Sequence, residues 1–448
     1  MRRDRVAAGA VGLLAAAAHG TVTLLHFHQM RITSWDNAIF EQVVASYARL
    51  EAPVSEAKGP GYNILGDHWS PIDALIAPIY HVFPAAQTIL LAQVVLIAIS
   101  AVVVTLLATR VLGTARGAVL GVLYALSFGL QNGVEADFHE VAFAVPLLAL
   151  AGAAYVDRRY TAMLGWAAPL LLVKEDMGAT VAMIGVVLWL AGDRRRGVWV
   201  AIGGVLAVAV TTLVLIPLFG DGYAYTSQVG ADRSVLQTLL DSPGQKLGTV
   251  ALTLAIVGFA ALLSPWVLLV LPTFAWRFVG DNEFYWGLDW HYGMVLMPIV
   301  FVAFVDAWKR REGRGMDVPL VVATVVSLGV APLVTSLPVF ELAQGSTWAD
   351  PPRAEDGREA VASVPRNVSV ETDISLLKHL ATERTAYWTG TIGSTDADVV
   401  PDYVAFDVDA GLGSPPDPLA YAEDRYGGTW FTVFDRGGYV VVRGGSST

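Results

Sequence analysis

Apolar residues run along this chain in long blocks separated by short polar turns. The blocks lie near 6–27, 86–110, 116–131, 139–156, 160–173, 177–192, 198–219, 247–263, 265–279, 291–308 and 317–339. A helical crossing of the bilayer core needs about 20 predominantly apolar residues. The pattern therefore predicts an α-helical polytopic membrane protein with about eleven transmembrane helices. Several blocks are short, and a tilted or re-entrant segment shifts that count by one or two. The first block follows Arg2, Arg3 and Arg5 as a signal peptide would. It is long, lacks a small-residue cleavage site and precedes many more blocks, so it reads as a retained first helix.

Past about residue 340 the periodicity changes. Residues 345–448 are polar, with short alternating stretches. Val368 to Thr372, Ala386 to Trp388 and Tyr403 to Val408 read as strands, and 430–442 as a hairpin turning at Arg436-Gly437-Gly438. Between them Ile374 to Arg384 has helical spacing, with Leu376, Leu377 and Leu380 on one face. This is a small α/β domain without a Gly-rich phosphate loop. The expected division is a membrane domain over 1–340, with a long first loop at 28–85, and an α/β domain over 345–448. No internal repeat is visible.

Charge sets the orientation. Arg2, Arg3 and Arg5, Arg110 and Arg116, Arg158 and Arg159, Arg194 to Arg196, and Lys309, Arg310, Arg311 and Arg314 fall in alternate loops. Basic residues mark cytoplasmic loops, which places the N-terminus in the cytoplasm and, with eleven crossings, the C-terminal domain outside. The turn at Ser264-Pro265 carries no charge to support its side. Overall composition agrees: 54% of residues are hydrophobic and 15% charged, against about 25% charged in soluble domains. That excludes a disordered chain, a fibrous chain and an ordinary soluble enzyme. The absence of cysteine excludes disulfides and thiolate chemistry. A net charge of −11 argues against nucleic acid as a partner.

The other face collects acids and histidines at the ends of the apolar blocks, which points to a site at the membrane surface. Ser34 to Gln42 opens an amphipathic helix that Ser34 can cap, with Ile39, Phe40, Val43, Val44 and Tyr47 forming an apolar face suited to lie on a leaflet. Asp36 in its first turn is a candidate general base, or simply an acid favoured by a helix N-terminus. Asp67, His68, Trp69 and Asp73 crowd one short segment, fit for an ion, a phosphate or a sugar face, or merely a polar interfacial loop. Asp137 and His139 flank Phe138 in the tight turn Glu135 to Glu140 and form a plausible ligand pair. Lys174-Glu175-Asp176 interrupts two blocks with almost no loop. It suits a lipid-linked phosphate or a charge-balanced interfacial turn. His291 and Tyr292 open the block at 291–308 beside an aromatic cluster that also fits an interfacial belt. His26 and His28 read as interfacial, and His19 as packed.

In this order and at this spacing, Trp35-Asp36-Asn37-Ala38-Ile39-Phe40-Glu41-Gln42, Asp67-His68-Trp69-Ser70-Pro71, Asp137-Phe138-His139-Glu140, Lys174-Glu175-Asp176 and His291-Tyr292 resemble the bacterial membrane-protein family labelled domain of unknown function 2079. The resemblance covers nearly the whole chain, including the strands around Val368 and Tyr403. Where the family usually has Tyr-Asp, this chain has Trp35-Asp36, which keeps an aromatic and the acid. The family is similar to GT-C glycosyltransferases. These take a sugar from a polyprenyl-phosphate donor and pass it to an acceptor outside the cytoplasm. The resemblance implies a GT-C-like fold in the cytoplasmic (inner) membrane, with a glycan, lipid or protein of the cell envelope as acceptor. It implies Asp36 as general base. It implies Glu41, His68, Trp69, Lys174, Glu175, Asp176, Arg277, His291 and Tyr292 as substrate-binding residues. A divalent ion (Mg or Mn) on Asp137 and His139 is a further expectation. The rival readings are a transporter or lipid-handling protein and a non-catalytic scaffold. The charged groups gather at one face, whereas transporter sites usually sit near the midplane.

Overall fold

The computed structural model describes residues 2–32, 34–220, 223, 225, 229–230, 233–393, 399–410 and 412–445. The chain packs as two compact units. One comprises Met1–Val22, Leu65–Ile72 and Gln93–Glu341. The other comprises Thr23–Ile64, Asp73–Ala92 and Leu342–Thr448. Much of the first loop thus packs with the C-terminal residues, whereas composition groups it with the membrane part.

Among the described residues six helices are long and apolar enough to cross a membrane: Arg2–His28, Ala86–Leu112, Thr114–Glu135, Arg194–Phe219, His291–Arg310 and Asp317–Val334. Shorter apolar helices span Glu140–Val156, Tyr160–Leu172, Met177–Leu190 and Pro265–Val279. Ten of the eleven apolar blocks are therefore helical. The block at 247–263 is not continuous. Its helix, Pro243–Ala255, ends before Gly258 and Phe259, both at positive φ, and a short turn at Ala260–Leu263 follows. A Cβ on Gly258 would stand 2.1 Å from the Pro319 carbonyl oxygen, so the break is held by close backbone packing.

In the first unit, helix His291–Arg310 is central, with every residue from Leu296 to Trp308 buried. Arg194–Phe219 and Asp317–Val334 bury little of their apolar surface within the protein, as lipid-facing helices do. Both widen into a π-turn, at Thr211–Leu215 and Val326–Val330, just before Pro217 and Pro332. Proline has no N–H and its ring opposes the carbonyl four residues back, and the wider turn relieves that clash. Helices Met177–Leu190 and Arg194–Val210 form a hairpin whose backbones touch. A Cβ on Gly185 would lie 2.3 Å from Ala201 N, and one on Gly204 2.4 Å from Ala182 N. Small residues at such seams permit the close packing that holds helices together in lipid.

In the second unit a five-stranded sheet has the order β2-β1-β3-β5-β4, with β1 Ser369–Thr372, β2 Thr385–Trp388, β3 Tyr403–Asp407, β4 Trp430–Arg436 and β5 Tyr439–Gly444. β1 runs parallel to β2 and β3, and β5 is antiparallel to β3 and β4. The expected helix after β1 covers Ile374–Leu380, capped by Asp373, whose carboxylate accepts from the backbone N–H of Ser375 and Leu376. Val404, Phe406, Trp430 and Val442 close a core on one face, under helix Pro418–Tyr426. Helix Asp36–Ala48 belongs to this unit. Beyond its apolar stripe it also buries Asn37, Glu41, Gln42 and Ser46, so its polar side is packed on protein as well. Gln42 donates to Ala386 O at 2.8 Å and accepts from Ser55 Oγ and Ala57 N.

Candidate functional site

The first unit gathers most of the expected residues where apolar helices meet loops. Lys174, Glu175 and Asp176 sit between helices Tyr160–Leu172 and Met177–Leu190. Glu175 is almost fully buried and accepts three hydrogen bonds: from His68 Nδ1 at 2.8 Å, from the Trp69 backbone N–H at 3.1 Å and from Tyr223 Oη at 2.9 Å. The His68 ring stacks on Tyr225, centroids 4.5 Å apart. Lys174 Nζ pairs with Glu140 Oε1 at 2.7 Å. Burial works to raise the Glu175 pKa, but the charges of His68 and Lys174 and these hydrogen bonds overcome it and hold it at about 2. Asp176 is pushed up to about 6, first by burial and then, against the pull of Lys174, by the neighbouring acids Glu175 and Glu140. Lys174 is held well above its usual range. Burial opposes this, but Glu140, Glu175 and Asp176 outweigh it.

The 135–140 turn is fixed from a neighbouring helix. Gln93 donates to Gly133 O and Asp137 O and accepts from the His139 backbone N–H. Asp137 is buried at φ 66°. The His139 ring stacks on His291, centroids 3.6 Å apart, and His291 in turn lies 4.2 Å from Tyr292. His291 is within electrostatic reach of His139, Lys174, His68 and Arg277. Arg277, 1% exposed, donates to the carbonyls of Tyr285 and Gly287 and lies over the Tyr292 ring. A guanidinium has five N–H donors and an ammonium three. Among the described residues Arg277 spends two on carbonyls and Lys174 one on Glu140. Both cations retain donors for an anion.

The His139 Nδ1 lies 3.3 Å from the backbone carbonyl of Asp137, and no group of three or more His, Asp or Glu side chains among the described residues is arranged to hold a metal ion. Asp137 and His139 would be the residues to hold a divalent ion there, and the ion would supply charge at a leaving phosphate.

The second unit holds Asp36 and Glu41. Asp36 is half-buried at the first position of its helix, and its N–H donates to Ser34 Oγ at 3.2 Å. Ser34 thus supports the helix start from one residue before the N-cap, which is Trp35. Trp35 packs edge-on against Trp388, with Lys58 Nζ 5.6 Å from its ring centroid. Glu41 is fully buried and accepts from Tyr80 Oη at 2.8 Å and Thr382 Oγ1 at 2.5 Å. Burial pushes it up to about 7, against these two hydroxyls. Sequence reasoning passed over Gln93, Tyr223 and Tyr225. A lone Gln inside an apolar block is itself a signal. The tyrosines carried only an aromatic pair just past the block at 198–219.

A multi-span helical fold with a small sheet, and a charged cluster at the ends of the helices, define a polytopic membrane protein. The chain belongs to the family described as "Predicted membrane protein (DUF2079)", whose model matches residues 26–426. Its fold is similar to the crystal structure of ArnT from Cupriavidus metallidurans bound to undecaprenyl phosphate, with a TM-score of 0.56, 13% identity and 98% of each chain covered. At that identity the likeness speaks for the fold alone. No curated protein matches the chain.

Proposed function

We propose that this protein is a membrane glycosyltransferase that moves a sugar from a polyprenyl-phosphate donor to an extracytoplasmic acceptor of the cell envelope. The observation that carries the reading is the basic cluster of His68, His139, Lys174, Arg277 and His291, in which the buried Arg277 and the half-buried Lys174 keep donors for an anion. The fold shared with a chain that holds undecaprenyl phosphate supports it. The chain crosses the inner membrane about eleven times, with its N-terminus cytoplasmic and its C-terminal segment outside.

In this reaction the acceptor hydroxyl oxygen attacks the anomeric carbon, and the bond from that carbon to the phosphate oxygen breaks. The hydroxyl proton passes to Asp36, and the lipid leaves as its monophosphate. Lys174 and Arg277 neutralise the charge that develops on the leaving phosphate. Glu175 orients His68 and Asp176 lies beside them, while His139, His291 and Tyr292 form aromatic walls. Glu41 braces the helix that carries Asp36, and Trp69 offers an indole to the sugar.

The test is transfer in membranes, comparing wild type with Asp36→Asn over a panel of radiolabelled polyprenyl-phosphate sugars. Loss of a general base lowers transfer by about 10²–10⁴-fold, with the variant still inserted and folded. Equal transfer by both proteins removes Asp36 from the role.

A further inference from the structure

The second unit contains a cavity of about 520 Å³. Phe27, in the last turn of helix Arg2–His28, and Ala85, just before helix Ala86–Leu112, form part of its wall. The cavity therefore lies where two membrane-spanning helices end, at the depth of lipid headgroups. Its wall combines the apolar Phe27 and Met30 with two guanidinium groups, Arg358 and Arg366, from the C-terminal segment.

Three observations say what it holds. First, His379 lines the cavity, is 8% exposed, and its Nε2 has no hydrogen-bond partner among the described residues. Its ring is set against Phe27, centroids 4.4 Å apart. A buried imidazole nitrogen left without a partner costs free energy unless a ligand or water meets it. Burial, aided by Lys378, holds this histidine well below its usual range, so the ring is neutral and has one N–H to give. Second, the arginines are only partly engaged. Arg358 donates to His28 O and pairs with Asp350, and Arg366 pairs with Glu383. Donors remain on each, and the fork of a guanidinium matches phosphate oxygens. The wall itself carries two guanidinium groups against the single carboxylate of Glu383. Third, the segment leading to Ala85 exposes Leu75, Ile79, Val82 and Phe83. Such an apolar strip next to a spanning helix sinks into the acyl region.

We propose that this cavity is a binding site for the phosphate of an anionic membrane phospholipid. Arg358, Arg366 and the His379 imidazole take the phosphate, and the acyl chains run over the exposed apolar strip into the bilayer. Free phosphate shares the headgroup chemistry but gains nothing from that strip.

The test uses the full-length protein in nanodiscs of phosphatidylcholine with a minor fraction of phosphatidylglycerol, released into detergent for native mass spectrometry. Wild type retains phosphatidylglycerol in preference to phosphatidylcholine. Arg366→Glu lowers that retention by about tenfold, the loss of one charge-assisted contact. The Arg366 side chain is 73% exposed, so the substitution leaves folding intact. His379→Phe keeps the ring on Phe27 and lowers retention less. Lys174→Met, in the other unit, leaves retention unchanged. Equal retention by wild type and Arg366→Glu overturns the proposal. So does loss of the lipid in Lys174→Met alone, which assigns it to the basic cluster. A thermal shift from inorganic phosphate as large as that from phosphatidylglycerol, abolished by Arg366→Glu, also overturns the lipid assignment and makes the site one for free phosphate.

Discussion

Glu175 and Glu41 are both buried glutamates, yet one stays ionised down to about pH 2 and the other takes up a proton near 7. Desolvation pushes both upward. The difference lies in their partners. Glu175 meets His68 and Lys174 and accepts a backbone N–H, so its charge is matched by charge. Among the described residues Glu41 meets only the hydroxyls of Tyr80 and Thr382. Hydroxyls lower a carboxyl pKa too little to offset burial in a dry site. The loop of the basic cluster is thus built to keep a fixed negative charge, while the helix bearing Asp36 is braced by an acid poised between its two states.

Breaking the charged side of this comparison has the largest effect. Glu175→Ala leaves His68, the Trp69 N–H and Tyr223 without their acceptor, and costs about 3–5 kcal/mol in thermal unfolding of the detergent-solubilised protein at pH 7. Because the Glu175 pKa is depressed, its contribution is complete above about 4.5 and fades as the pH falls toward 2, so the gap to wild type narrows with acidification. Lys174→Met follows, at about 3 kcal/mol, since it strands Glu140 in the interior. It also lowers transfer in the membrane assay.

The hydroxyl side responds with the opposite sign. The Glu41 pKa is raised, so its stability contribution is complete below about 4.5 and is lost as the pH rises through 7. Glu41→Gln should match wild type at pH 5 and exceed it by about 1–3 kcal/mol at pH 8.5, read as a reversal in the order of melting temperatures. A variant less stable than wild type at both pH values would show that Glu41 is held ionised. Tyr80→Phe is the mildest change. It costs about 1 kcal/mol, the net worth of one hydrogen bond, and shifts the pH midpoint of Glu41 further upward.

The helical blocks were legible because bilayer thickness writes itself into the length of apolar runs. The strands at Ser369–Thr372 and Tyr403–Asp407 were legible from alternation, and the hairpin from Gly437-Gly438. Helix Pro418–Tyr426 was passed over although Asp417-Pro418 is a clear start signal, because its apolar stripe is thin. The break at Gly258 was hidden, since its cause is a contact with Pro319, sixty-one residues away. In the site, the motifs named the charged residues. Their pairing was not readable: Lys174 with Glu140, His68 with Glu175 and His139 on His291 join segments far apart in the chain.

The glycine seam between Met177–Leu190 and Arg194–Val210 bears on how the protein is made and damaged. Each helix satisfies its own backbone hydrogen bonds, so either one persists in lipid without its partner. Blocking the seam, as Gly185→Val would, therefore leaves two intact rods whose mutual anchorage has gone. The outer rod faces hydrocarbon along most of its length and is then free to drift or roll. The defect to look for is a correctly inserted, fully helical protein recognised by quality control as an orphan segment, rather than an unfolded chain.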